Sequence, residues 1–136
     1  MKLSAHVNFS GQCRAAFAFY ATCLGGAVTF TQNYGDSPMK EQTAPDWHDK
    51  VMHTTLTVGE YVLMGCDAPP PHYAPPQGIQ LSVSTSSADE AKRVFNALSD
   101  GGKVTMPFQQ TFWSSGFGML IDRYGIAWMV GADQAA

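Results

Sequence analysis

Few residues in this chain have chemistry to offer, and the most telling are imidazoles and amides set in alternating runs. His6 lies in His6-Val7-Asn8-Phe9-Ser10, His53 in His53-Thr54-Thr55-Leu56-Thr57-Val58, and Gln80 heads Gln80-Leu81-Ser82-Val83-Ser84. Apolar and polar residues alternate in each run, the period of a β-strand with one buried face. The polar face then carries His6, Asn8, His53, Thr55, Gln80 and Ser82. Left open, such a face is the solvent side of a half-exposed sheet. Enclosed, it becomes a set of ligand-orienting groups in which a neutral imidazole exchanges a proton near neutral pH. His48 and His72 fall in segments punctuated by Pro and Gly, where solvent is the default.

Other catalytic patterns are missing from the sequence. No Gly-x-Gly-x-x-Gly follows a strand, there is no Gly-x-Ser-x-Gly, and no phosphate loop ends in Gly-Lys-Ser or Gly-Lys-Thr. Cys66 has no His, Lys or Arg beside it in sequence to favour a thiolate and reads as a buried thiol. Trp113, Phe117 and Trp128 form an aromatic stripe of the kind that fills cores. Gly116 and Gly118 flank Phe117 and make its hairpin easy to bend, so Trp113 and Phe117 are candidates to lie over a ligand. Trp47, in a Pro-bounded loop, is a candidate lid or dimer contact. Asp122-Arg123-Tyr124-Gly125 reads as a tight turn between strands.

The elements that must position these residues come in two copies. A module over about residues 3–67 and another over about 79–133 each read strand, amphipathic helix, Gly-Gly, strand, hairpin. The first helix places Ala16, Phe17, Phe19, Tyr20 and Leu24 at helical spacing and runs into Leu24-Gly25-Gly26-Ala27-Val28-Thr29-Phe30. The second places Ala91, Val94, Phe95 and Leu98 similarly and leads to Gly101-Gly102-Lys103-Val104-Thr105-Met106. Ser87 followed by Glu90 reads as a capping box, and the glycine pairs as left-handed helix ends. Gly65-Cys66-Asp67 and Gly131-Ala132-Asp133 are read as equivalent module ends. A Pro-rich linker, 68–78, joins the copies, and 34–50 reads as a mobile loop. Duplication on this scale suggests two half-sheets facing each other across a groove, a natural small-molecule site.

At 136 residues the chain is expected to be one domain. A net charge of -3 offers no basic field for nucleic acid, and no apolar run is long enough to span a bilayer. Three cysteines without metal-site spacing imply no disulfide framework, and the polar residues that interrupt the first turn argue against a secretory leader. A cytoplasmic location is the expectation.

The duplicated plan resembles the vicinal oxygen chelate superfamily of glyoxalase I, extradiol dioxygenases and bleomycin-resistance proteins. Within it the chain is most similar to the PhnB-like group, sometimes labelled demethylubiquinone methyltransferase-like. The likeness rests on Phe9-Ser10-Gly11-Gln12-Cys13, Val51-Met52-His53, Leu63-Met64, Thr111-Phe112-Trp113, Gly116-Phe117-Gly118 and Asp122-Arg123-Tyr124-Gly125-Ile126-Ala127-Trp128-Met129. It implies an α+β fold of two tandem βαβββ modules in a curved, mostly antiparallel sheet around a groove. The methyltransferase wording is not followed, since that chemistry needs a nucleotide-binding turn in a parallel sheet.

In metal-dependent members of the superfamily, His, Gln and Glu ligands come from the first and last strands of each module. The resemblance places His6 and Gln80 at the first-strand positions, and Met64 and Met129 at the last-strand ones, with Val130 the alternative. One imidazole, one amide and two thioethers suit a hard divalent ion poorly. The expectation is therefore no cofactor, with a divalent metal at His6 as the alternative. On this reading His53 is the catalytic candidate, and His6, Gln80, Met64, Trp113, Phe117 and Met129 line the ligand. The expected protein is a homodimer that binds a small molecule. A divalent-metal lyase, isomerase or dioxygenase, or a sequestering resistance protein without chemistry, are the other readings.

Overall fold

The computed structural model describes residues 1–133. The chain divides into two compact units, Met1–Pro75 and a second that begins at Pro76. The first contains β1 (Ala5–Phe9), α1 (Cys13–Leu24), β2 (Ala27–Asn33), β3 (Val51–Val58) and β4 (Tyr61–Asp67); the second contains β5 (Leu81–Thr85), α2 (Ala88–Ser99), β6 (Lys103–Gln109), β7 (Phe117–Ile121) and β8 (Ala127–Ala132). Each unit is thus one βαβββ module. The strands form two four-stranded sheets, ordered β1-β4-β3-β2 and β5-β8-β7-β6. Each helix carries the chain to the far edge of its sheet, and the following strands return antiparallel until the last lies parallel to the first. Both sheets are therefore mixed, with one parallel pair apiece. Among the described residues no helix is long and apolar enough to cross a membrane.

The helices bury the faces that their spacing predicts. From α2, Ala91, Val94, Phe95 and Leu98 are buried with Leu120, Trp128 and Val130 of the sheet. In α1 the buried set is Cys13, Ala16, Phe17, Tyr20 and Cys23, and Phe19 and Leu24 are only half-buried. Cys13 and Cys23 thus serve as small apolar core residues of this helix. Phe17 packs edge-on against Phe9 at 6.2 Å, which assigns the Val7 and Phe9 face of β1 to the helix. Leu56 is fully buried on the same side, a burial that contributes about 1.5–3 kcal/mol.

The ends of the elements are fixed by a few polar groups. Ser87 caps α2, its Oγ accepting the Glu90 N–H at 3.2 Å. Gln12 gives α1 no side-chain cap, and Asp67 does this work from β4. Its Oδ1 accepts N–H bonds from Gly11 and Cys13, each at 2.9 Å, and its Oδ2 accepts the Val51 N–H at 3.0 Å. The glycine pairs divide their labour in the same way in both units. Gly25 and Gly101 adopt φ of 70° and 77°, whereas at Gly26 a Cβ would lie 2.6 Å from the Thr57 carbonyl oxygen and at Gly102 would collide with that of Ile121. Asp100, not Gly101, is the C-cap of α2.

Segment 34–50 is more ordered than the mobile loop that its composition suggests. It carries 3-10 turns at Tyr34–Asp36, Lys40–Gln42 and Pro45–Trp47. Tyr34 N–H donates to the Lys50 carbonyl at 3.0 Å and Gly35 N–H to that of His48 at 2.8 Å. The His48 ring, far from being left to solvent, sits with Nε2 2.9 Å from the Thr43 carbonyl.

The modules also superpose differently from the Gly-x-Asp reading. Ala68 N–H donates to Phe9 O and Asp133 N–H to Thr85 O, both at 2.8 Å. Asp133 therefore corresponds to Ala68, and the structural Asp67 has Ala132 as its counterpart. Gly131-Ala132-Asp133 resembles Gly65-Cys66-Asp67 only by coincidence, one residue out of step.

Candidate functional site

The candidate site is built on the face of the first sheet opposite α1. Strand register sets Phe30 opposite Thr55, Thr55 opposite Met64, and Met64 opposite His6, so these four share one level across the sheet. Gln32 opposite His53, and Cys66 opposite Asn8, make the next level. His6 and His53 stack with ring centroids 6.0 Å apart and planes 28° from parallel. Phe30 lies on the other side of His53 at 5.9 Å. The Thr55 hydroxyl is 3.3 Å from His53 Nε2, which holds the ring at a set angle. Cys66 donates its S–H to Asn8 Oδ1 at 3.2 Å.

Electrostatics separates the two reactive residue types on this face. The His6 pKa is lowered from 6.5, first by burial against its neighbours and then by the positive charge that His53 can carry. It is thereby held as a neutral imidazole. Burial, reinforced by the Asp67 carboxylate, pushes the Cys66 thiol up and keeps it protonated. Cys66 is half-buried rather than buried as the sequence suggested, but this environment still keeps it a thiol. Tyr34 is raised by burial and then by Cys66, and its hydroxyl donates to the Asp67 carbonyl at 2.7 Å.

Phe30 and Gln32 join the face without having been singled out in the sequence, and Cys66 joins it although the sequence reading gave it no place there. In β2 the register shifts between Val28 and Phe30, so Val28 pairs with buried Leu56 and Phe30 with Thr55 on the opposite face. Such a bulge turns residues two apart onto different faces, which alternation alone cannot show. The same shift recurs in β6 between Val104 and Met106. The repeated Gly-Gly-x-Val-Thr-Phe and Gly-Gly-x-Val-Thr-Met segments carry that signal.

Gln80 is a correction. It precedes β5 and is exposed, and the residue opposite Met129 is Ser82, as His6 is opposite Met64. A slip of two residues leaves an alternating pattern on the same face, so periodicity could not tell Gln80 from Ser82. Met64 and Met129 do hold equivalent last-strand positions. In the second unit Met106, Met119 and Met129 are successive cross-strand partners on the face opposite α2. Phe117 pairs with Gly131, and Trp113 meets the Phe117 ring edge-on at 5.4 Å. Trp113 is 43% exposed and stands out from the core, whereas Trp128 is buried, its indole N–H donating to Asp122 Oδ2 at 2.8 Å. Asp122 also accepts the Tyr124 and Ile126 N–H groups, the tight turn that was expected.

These donors do not fit the hard divalent ion of metal-dependent glyoxalase-fold enzymes. In the first unit the corresponding positions offer an imidazole and a thioether, His6 and Met64; in the second they offer a hydroxyl and a thioether, Ser82 and Met129; neither pair includes an anionic oxygen. Among the described residues no three His, Cys, Asp or Glu side chains group to hold a metal.

With this geometry in place, the chain can be set beside known proteins. Residues 1–131 match the family described as 3-demethylubiquinone-9 3-methyltransferase. The chain is 31% identical over 140 residues to Protein YjdN of Escherichia coli (strain K12), a match covering 96% of this chain and 94% of that one. It is similar in structure to PA1353 from Pseudomonas aeruginosa, with 42% identity, 99% of both chains covered and a TM-score of 0.88. A PhnB protein from Bacillus cereus shares the fold at 24% identity, with 99% and 100% covered and a TM-score of 0.77. Glyoxalase/bleomycin resistance/dioxygenase domains share the fold as well. The chain therefore belongs to the family described as 3-demethylubiquinone-9 3-methyltransferase.

Proposed function

We propose that this chain binds a small organic molecule and works without a hard divalent metal. The observation that carries the reading is the His6–His53 stack, backed by Phe30 and oriented by Thr55. In this reading His53 orients the ligand and exchanges a proton with it, His6 assists as a neutral donor or acceptor, and Met64 supplies apolar contact. Met129, Phe117 and Trp113 offer soft and aromatic surface on the second unit. The methyltransferase wording of the family description is not carried over, because each sheet is a set of antiparallel hairpins with one parallel pair rather than an open, doubly wound parallel sheet.

Two further expectations belong to the same reading. A homodimer is favoured by β2 and β6, edge strands that expose Val28, Phe30 and Val104. A cytoplasmic location is favoured by Cys13, Cys23 and Cys66, all free thiols.

Native mass spectrometry of the purified protein is the test, since it reports bound ligand, metal and oligomer together. A co-purifying organic ligand that His53→Ala loses would support the proposal. A stoichiometric divalent metal held through His6 would overturn it.

A further inference from the structure

Three of the seven methionines, Met106, Met119 and Met129, form a row that neither core packing nor the imidazole pair uses. Met119 on β7 is the direct partner of Met106 on β6 and of Met129 on β8, so all three side chains leave the same face at the same level. The β6 bulge is what brings Met106 there; without it Met106 would share the helix-side face of Val104, which pairs with buried Leu120. All three are half-buried. Ser82, opposite Met129, closes the row on β5.

We infer that Met106, Met119 and Met129 form a binding site for a soft monovalent cation of the Ag(I) or Cu(I) class. Side chains directly opposite one another have Cβ atoms about 4.5–5.5 Å apart. An unbranched side chain with three rotatable bonds lets the outer two sulfurs lean toward the central one, so three thioethers can share one ion. Thioethers select soft cations and hold hard divalent ones poorly. On this face the row is flanked by Lys103, Ile121 and Ala127 on one side and by Gln109, Phe117 and Gly131 on the other; Lys103 is exposed, and its flexible stem carries the ammonium group out to solvent. The Phe117 ring adds a π-face next to the cation. Thioethers also need no deprotonation to bind, so affinity should not fall with pH as an imidazole or thiolate site would. The site lies within one sheet and does not depend on the small-molecule reading above.

The test titrates Ag(I) into the full chain carrying Cys66→Ser, with the methionine methyl groups isotopically labelled and observed by NMR. The methyl resonances of Met106, Met119 and Met129 should move together and saturate at one equivalent, equally at pH 5.5 and pH 7.5. Met119→Leu, close in volume, should weaken binding at least tenfold, whereas the double variant His6→Gln/His53→Gln should bind as the parent does. The proposal falls if the three resonances stay in place at one equivalent, if Met119→Leu binds unchanged, or if binding is lost at pH 5.5. It also falls if an aromatic probe moves the three methyl groups and Ag(I) does not, for the face is then an apolar ligand platform.

Discussion

His6 and His53 stack at 6.0 Å although β4 lies between their strands. Strands two places apart are separated by about 9.5 Å, so the two rings lean toward each other over β4, and Phe30 closes the far side of His53 at 5.9 Å. An aromatic group backed on both sides and fixed by Thr55 is a pre-oriented binding element rather than a mobile surface imidazole.

That placement separates function from stability along a single strand. His53 and Leu56 both belong to β3, but Leu56 is fully buried toward α1 whereas His53 is half-buried on the opposite face. Leu56→Ala should cost about 2–5 kcal/mol, as large-to-small core changes do. His53→Ala should unfold near the parent temperature while losing affinity for any ligand of this face. Paired thermal unfolding with a binding assay checks both; equal destabilisation by the two variants would make His53 structural.

The His6 pKa, held below 6.5, sets a sign for pH dependence. An unfolded His6 takes up its proton near 6.5, and the folded one only at lower pH, so over that window the unfolded state binds more protons. Stability from this residue is intact above 6.5 and declines as pH falls toward the depressed value. NMR titration of the His6 ring should give a midpoint below 6.5, and removing the neighbouring charge with His53→Gln should move it part of the way back. A midpoint at or above 6.5 in the parent would contradict the stacked geometry.

Much of the fold was legible in the sequence because the duplicated segments repeat the same local physics. The α2 spacing of Ala91, Val94, Phe95 and Leu98, the Ser87 cap and the twin glycines all act as their residue types dictate. The His6 and His53 face was legible too, since Leu56 and Phe9 are buried on the reverse. What stayed hidden depends on register. Alternation has period two, so it could not distinguish Gln80 from Ser82, nor reveal the bulges that carry Phe30 and Met106 to the face opposite the helix. The role of Asp67 was hidden for another reason: its partners Gly11, Cys13 and Val51 are 16 to 56 residues away in sequence.

The metal reading leads to a direct measurement. Because His6 is paired with Met64 in one unit and Ser82 with Met129 in the other, and neither pair has an anionic oxygen, protein purified without added ions should hold well under one equivalent of Zn, Ni, Mn or Fe. A chelator should leave the melting temperature unchanged. Elemental analysis that finds near-stoichiometric divalent metal, lost in His6→Ala, would reverse the donor-set argument.

Asp67 offers the sharpest test of how the first module is held together. Asp67 is 1% exposed, and its carboxylate accepts three backbone N–H groups, from the start of α1 and the start of β3. Asp67→Ala leaves those donors without an acceptor in a place that water reaches poorly, and each unsatisfied group costs about 1–3 kcal/mol. The variant should lose at least about 3 kcal/mol, a large share of the ~5–15 kcal/mol that holds an ordinary domain folded. Asp67→Asn keeps one oxygen for Gly11 and Cys13 but turns an N–H₂ toward the Val51 donor, so it should fall between parent and alanine. Denaturant unfolding of the three proteins ranks them; an Asp67→Ala variant as stable as the parent would mean that α1 is not capped from β4 in solution.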